Sequence, residues 1–372
     1  MIKKVELFST KKEFFTFFII ALSIFTFNTT CKYYEYLEFT KFDTYESDAL
    51  VINQYSKTAK NQILKLDIDG VTLYSSVSNG VRNMQGHRVH IRLFLDNISF
   101  FQYLKGFYAR SYVLKLYPEL SPQIQLSNYI KSQHQNESLS QIFSALFLAT
   151  PMSSSLQQQL SYLGVNHLVA ISGFHIGLIF TMIFFTLKAV TCRAYNTFIP
   201  YRNLNLDMFV MSAIIIMFYM LFLNSPPSLL RAFFMLIIGY FLYDRGYKIV
   251  SIKTLLVTVI SILALHVELL FSIGFWLSAS GVYYIFLFLK QFQIKSKILL
   301  AISISIWVYL MMFPISIYIF ENFSATHFLS VFYSLAFVIF YPIELALHVI
   351  GYGGIFDEQL LLVIQTTSTV KL

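Results

Sequence analysis

Apolar and polar positions divide the chain into three regimes. An apolar run at residues 14–30 (FFTFFIIALSIFTFNTT) follows Lys3, Lys4, Lys11 and Lys12. It has no small-x-small cleavage site, so it reads as a retained anchor rather than a cleaved signal peptide. From 31 to 140 charges recur every few positions, and no apolar run is long enough to cross a bilayer. Apolar runs then return at about 168–187, 207–223, 227–243, 250–266, 269–289, 298–320 and 327–350. Each is near the roughly 20 residues that a spanning helix needs. The tail at 351–372 is too mixed to assign.

Within the polar regime, Leu64, Leu66 and Ile68 alternate with Lys65, Asp67 and Asp69, and Val89, Ile91, Leu93 and Leu95 alternate with His90, Arg92, Phe94 and Asp96. This period of two, broken at Gly70, Asn79-Gly80 and Gly86, predicts short strands joined by turns. The run FYARSYVLKLYP, ending at Pro118, supplies a further strand. The pattern predicts a small β-barrel over 31–122. Residues 123–166 turn helical, mixing Ile142, Phe143, Leu146 and Phe147 with a polar run from Ser153 to Gln159, which suits an interfacial amphipathic helix or a short helical pair. The expected organisation is a tail and anchor (1–30), the inserted barrel, the amphipathic segment, a transmembrane unit (167–350) and a tail. The fold class is a polytopic α-helical membrane protein of about eight transmembrane helices with an inserted β domain.

Composition agrees: 56% of the 372 residues are hydrophobic and only 12% charged, which excludes an ordinary soluble domain. The net charge of +8 points first to basic cytoplasmic loops and second to an anionic partner. With the Lys-rich N-terminus inside, Lys188, Arg193, Arg202, Arg245, Lys248, Lys290, Lys295 and Lys297 all fall in cytoplasmic loops. The connections at 224–226, 266–268 and 321–322 then lie outside without a Lys or Arg, as does the barrel. Cys31 and Cys192 fall on opposite sides, where they do not pair.

That orientation gathers four polar stretches at the outer third of the membrane: HLVAISGFHIG (167–177), NSPPSLLRAFFM (224–235), ELLFSIGFWLSASG (268–281) and ENFSATH (321–327). Polar groups at that depth are costly against lipid and expected around a water-filled mouth. His167, Ser172, His175, Arg231, Trp276 and Ser278 are the candidate pathway residues. Blander roles compete: Gly173 and Gly177 have GxxxG spacing for helix packing, His167 and Trp276 suit an interfacial belt, and Arg231 suits snorkelling to headgroups. Ser172 and His175, three apart, also form a conceivable nucleophile pair on one helical face, although no third group orients the base. No HExxH, His/Asp cluster or Walker motif occurs, so neither metal, cofactor nor ATPase is expected.

These stretches resemble the ComEC competence family, which forms the inner-membrane channel for DNA import in naturally transformable bacteria. The resemblance rests on GVNHLVAISGFHIGLI, PPSLLRAFFM and FSIGFWLSASGV, with a looser likeness at PISIYIFENFS and Pro342, and covers about Ser144 to Pro342. The chain departs from the family at Thr150-Pro151, where Gly-Asp is frequent, at Trp276, where a polar residue is usual, and near Ser330, where an Asn is expected. It also carries no HxHxDH run of the metallo-β-lactamase-like domain found in larger members.

The resemblance implies a periplasmic OB-fold-like domain after the first anchor and a role as conduit for single-stranded DNA. From Lys60 to Lys115 the barrel carries eight Lys/Arg against three Asp, interleaved with aromatics, as a single-strand groove would. Arg82, Arg88, Arg92, Lys105, Arg110, Phe94, Tyr103 and Tyr108 are the candidate DNA-binding residues. The alternative is that the aromatics fill the barrel core. Implied partners are single-stranded DNA, the lipid bilayer, a periplasmic DNA receptor and a cytoplasmic motor or single-strand-binding protein, with a homo-oligomer left open. The competing functions are an intramembrane serine hydrolase and a small-solute transporter.

Overall fold

The computed structural model describes residues 7–8, 10–56, 61–68, 70–78, 84–95, 97–120, 122–247, 250–320 and 329–368. Helix α1 (Lys11–Phe39) is capped by Thr10, whose side chain accepts from the Glu13 N–H. It runs well past the apolar stretch at 14–30, so Cys31 sits on the helix. The extra turns are held by packing: Tyr33 and Tyr36 meet Phe100, and the Tyr36 hydroxyl donates to the Ile98 carbonyl at 2.7 Å.

The three predicted strand runs are present, the third split in two, and two further strands, at 44–56 and 71–78, join them in a six-stranded sheet. They are β1 (Thr44–Ser56), β2 (Asn61–Ile68), β3 (Val71–Ser78), β4 (His87–Phe94), β5 (Phe107–Tyr108) and β6 (Arg110–Leu120), with α2 (Phe100–Lys105) between β4 and β5. The sheet order is β5-β3-β2-β1-β4-β6. Only Ala109 separates β5 from β6, and its N–H bonds the Tyr74 carbonyl of β3 at 2.9 Å. One chain segment therefore pairs parallel with β3 and then antiparallel with β4, closing the sheet on itself. Alternation does what the sequence requires: Leu64, Leu66, Val89, Ile91 and Leu93 are wholly buried in the barrel core.

The 123–166 segment forms α3 (Pro122–Lys131), α4 (Glu137–Leu148), α5 (Ser154–Tyr162) and α6 (Asn166–Val169). The expected short pair exists as α3 and α4, but α4 does not behave as an interfacial helix. Nine of its 12 residues are buried, because α8, α13 and α14 wall it in. The membrane unit follows as α7 (Gly173–Phe198), α8 (Leu204–Phe222), α9 (Pro227–Asp244), α10 (Ile252–Leu265), α11 (Ile273–Gln291), α12 (Lys297–Phe320) and α13 (Ser330–Val349), then α14 (Asp357–Ser368). Among the described residues six helices are long and apolar enough to cross a membrane: α1, α7, α8, α11, α12 and α13. The predicted runs at 227–243 and 250–266 are helical too, but α10 has only 14 residues. The molecule is a mostly helical, multi-pass membrane protein with an N-terminal β domain.

The barrel rests on this unit through α1 and α2. Asn28 donates to the Ala264 carbonyl at 2.7 Å, and Phe101 meets Phe271 edge-on at 4.6 Å between ring centroids. The tail, too mixed to assign from sequence, forms α14, whose Leu360, Leu361 and Ile364 pack against the cluster that holds Leu139, Leu156 and Leu160.

Candidate functional site

The chain breaks between α6 and α7, where Ser172 adopts an extended conformation as the N-cap of α7. Ser172 thus precedes the helix and does not share a helical face with His175, which corrects the sequence expectation. The His175 Nδ1 lies 3.0 Å from the Ser172 N–H and 2.9 Å from its hydroxyl. The N–H donates to that nitrogen, so the pair closes the start of α7 in the manner of a capping box. The rest of the His175 ring is buried against Phe337 and Tyr341 of α13. His167, on α6, is exposed, with its Nε2 3.3 Å from the Ser334 hydroxyl.

Three of the four polar stretches do converge. Ser228 at the start of α9 donates to the Ile171 carbonyl at 3.0 Å, and a Cβ on Gly173 would come within 3.1 Å of the Ala232 Cβ. Gly173 is therefore a packing glycine between α7 and α9, whereas Gly177 faces open space and takes no part in a GxxxG seam. The turn leading into α9 is tight, with Asn224 and Ser225 both at positive φ. The fourth stretch, ENFSATH, lies outside the described residues.

Arg231 is where expectation and structure part most. It is only 3% exposed, donates through Nη1 to the carbonyls of Gly274 (3.0 Å) and Phe275 (3.4 Å), and sits over the Phe275 ring. It fastens α9 to the first turn of α11 instead of facing a mouth or snorkelling to headgroups. Trp276 is exposed and donates its Nε1–H to the Leu270 carbonyl at 2.9 Å, as an interfacial residue does. Ser278 is half-buried two residues on. A cavity of about 250 Å³ is lined by apolar and aromatic side chains of α4, α5, α6, α13 and α14, including Leu139, Leu160, Leu168, Phe337 and Leu360.

On the barrel, β1 supplies acids that the sequence count from Lys60 omitted. Arg92 pairs with Glu46, and His90 lies 2.7 Å from Asp48. That hydrogen bond from His90 holds the Asp48 carboxyl below its ordinary range. Over 31–122 the totals are eleven Lys/Arg and nine Asp/Glu, so the domain is close to neutral. Arg88, Lys105 and Arg110 are exposed, while Arg82 lies outside the described residues. Tyr108 is exposed with its hydroxyl 2.7 Å from that of Ser76, and Phe94 packs edge-on against Tyr112. Tyr103 belongs to the core, stacked on Phe107, and burial pushes its phenol up to about 12. It is a barrel core residue and no stacking platform.

A cluster that sequence reasoning missed lies where the α3–α4 turn meets the end of α13. His134 Nδ1 is 2.8 Å from the Asp357 carboxylate, and its Nε2 is 3.0 Å from the Nε2 of His348. His348 in turn faces Glu344, and Phe143 stacks on His134 at 4.7 Å. The members are separated by more than 200 residues, so only the i, i+4 spacing of Glu344 and His348 was visible in the sequence.

A family model described as Competence protein matches residues 149–367. The chain belongs to the ComEC competence family. The matched region covers more than half of the chain and takes in every membrane helix after α1, so the competence unit includes the Ser172 corner, Arg231 and the end of α13. No curated protein and no solved structure matches the chain. Membership of the competence family assigns a role in competence and DNA uptake.

Proposed function

We propose that this competence-family chain is the inner-membrane conduit that passes one DNA strand from periplasm to cytoplasm, with eight spans, the N-terminus inside and an OB-fold-like barrel outside. The observation that carries the reading is the family match over the very helices whose polar stretches converge. The barrel offers Arg88, Lys105, Arg110, Tyr108 and Tyr112 as exposed cations and rings, a modest set suited to weak, sequence-independent capture. His167, Ser172, Trp276 and Ser278 remain the pathway residues reachable from outside; Arg231 is a brace within the wall. Because His175 is packed against α13, passage of a strand requires α13 to part from the start of α7.

The test is uptake of labelled DNA by cells lacking the chain. The expected result is label held in the periplasm. Label reaching the cytoplasm at the normal rate overturns the conduit reading.

One observation favours a second reading: the Ser172 hydroxyl lies 2.9 Å from a histidine nitrogen, as a nucleophile lies to its base. Against it, the single Nδ1 lone pair already accepts the Ser172 N–H. Under the conduit reading Ser172→Ala reduces transformation modestly; under the hydrolase reading it abolishes function and removes labelling by a serine-directed fluorophosphonate.

A further inference from the structure

The buried cluster of Asp357, His134, His348 and Glu344 is a chain of four titratable groups in series. Its three links are Asp357 to His134 Nδ1 (2.8 Å), His134 Nε2 to His348 Nε2 (3.0 Å) and His348 Nδ1 to Glu344, whose main-chain oxygen is at 2.8 Å and carboxylate at 3.3 Å. Each link needs one proton between two lone pairs. Two neutral imidazoles supply only two, so the arrangement holds a third, whichever atoms carry it. Among the described residues no Lys or Arg pairs with either carboxylate. The surroundings are Phe143 and Phe147 of α4, and Gln133, which binds the His348 carbonyl and the Gly353 N–H. Burial lowers the proton affinity of His134 and Asp357 opposes it.

The two ends differ. The Asp357 side chain is 16% exposed, while that of Glu344 is fully buried. The Glu344 carboxylate oxygens, the Tyr341 hydroxyl and the His175 Nε2 are all buried without a partner in hydrogen-bonding geometry. Tyr341 and Glu344 lie one turn apart on α13, and the Tyr341 ring is 4.8 Å from that of His175. Unsatisfied buried polar groups are costly unless water or a proton reaches them, and inside a membrane unit they accompany ion and proton movement.

We propose that Asp357, His134, His348 and Glu344 form a proton-transfer path, continued by Tyr341 and His175 to the half-buried Ser172, and that its ligand is the hydrated proton. A proton taken up on Asp357 passes to His134 Nδ1 as His134 releases its Nε2 proton to His348 Nε2; the His348 Nδ1–H turns from the Glu344 main-chain oxygen and its proton passes to the Glu344 carboxylate 3.3 Å away. One proton moves, Asp357 is again ionised, Glu344 becomes neutral, and the two rings exchange tautomers.

The full chain in lipid vesicles containing a trapped pH dye, driven by a valinomycin potassium potential, tests this without DNA. The expected result is internal acidification well above that of empty vesicles, falling to the empty-vesicle rate in Glu344→Gln and about tenfold in Asp357→Asn. Asp357→Asn, at a partly exposed helix start, serves if Glu344→Gln fails to fold. Wild-type flux equal to that of empty vesicles, or wild-type flux in either folded variant, overturns the path. The conduit reading stands or falls separately on labelled DNA.

Discussion

At the scale of single residues, Arg231 separates chemistry from address. Its residue type and depth were legible, and from them a phosphate contact is a reasonable expectation. What was not legible is the partner, because the Gly274 and Phe275 carbonyls lie 43 and 44 residues away and carry no side-chain signal. Arg231→Ala removes a buried charged donor from two carbonyls and is expected to cost about 1.5–3 kcal/mol of stability. Arg231→Lys is expected to recover roughly half, since an ammonium lacks the planar fork. Thermal unfolding of the detergent-solubilised chain measures both; an Arg231→Ala protein as stable as wild type but deficient in uptake would restore the phosphate role. Ser172 and His175 teach the same lesson. Their spacing was visible, but whether a Ser and a His three apart start a helix or ride on one depends on where the helix begins.

At the scale of elements, pattern was informative wherever an element has one buried face. The barrel strands were readable because period two maps directly onto inside and outside, while Tyr103 was misplaced because an aromatic serves core and groove equally well. Helix α4 shows the limit: Ile142, Phe143, Leu146 and Phe147 beside the polar run from Ser153 to Gln159 suggested an interface, yet even the polar Ser140 and Ser144 of α4 are buried. The glycines of α7 give an element-level test. Gly173→Leu pushes a side chain into Ala232 and is expected to part α7 from α9, lowering the amount of folded protein in the membrane. Gly177→Ala meets nothing and is expected to stabilise the helix by about 0.5–1 kcal/mol. Equal effects of the two, compared by membrane yield and melting temperature, would contradict the one-glycine contact.

For the whole molecule, the positions of the membrane helices were legible from hydropathy, and the proposed orientation follows from where basic residues fall. The two cysteines make it measurable. An impermeant maleimide applied to intact spheroplasts is expected to label the exposed Cys31 and spare Cys192. Labelling of Cys192 alone reverses the proposed orientation and moves the barrel to the cytoplasm. Beyond the i, i+4 spacing of Glu344 and His348, the His134 cluster was not legible in the sequence, since it joins the α3–α4 turn to α13 and α14 across more than 200 residues.

The enclosure of α4 sets a timetable for biogenesis. Its last residue is made at Leu148, but the helices that wall it in arrive with α8, α13 and finally α14, which contributes Leu360 and Ile364. At ordinary synthesis rates the ribosome takes on the order of 10–40 s to add those intervening residues. During that interval an apolar helix waits without its protein neighbours, sheltered by lipid or by the insertion machinery.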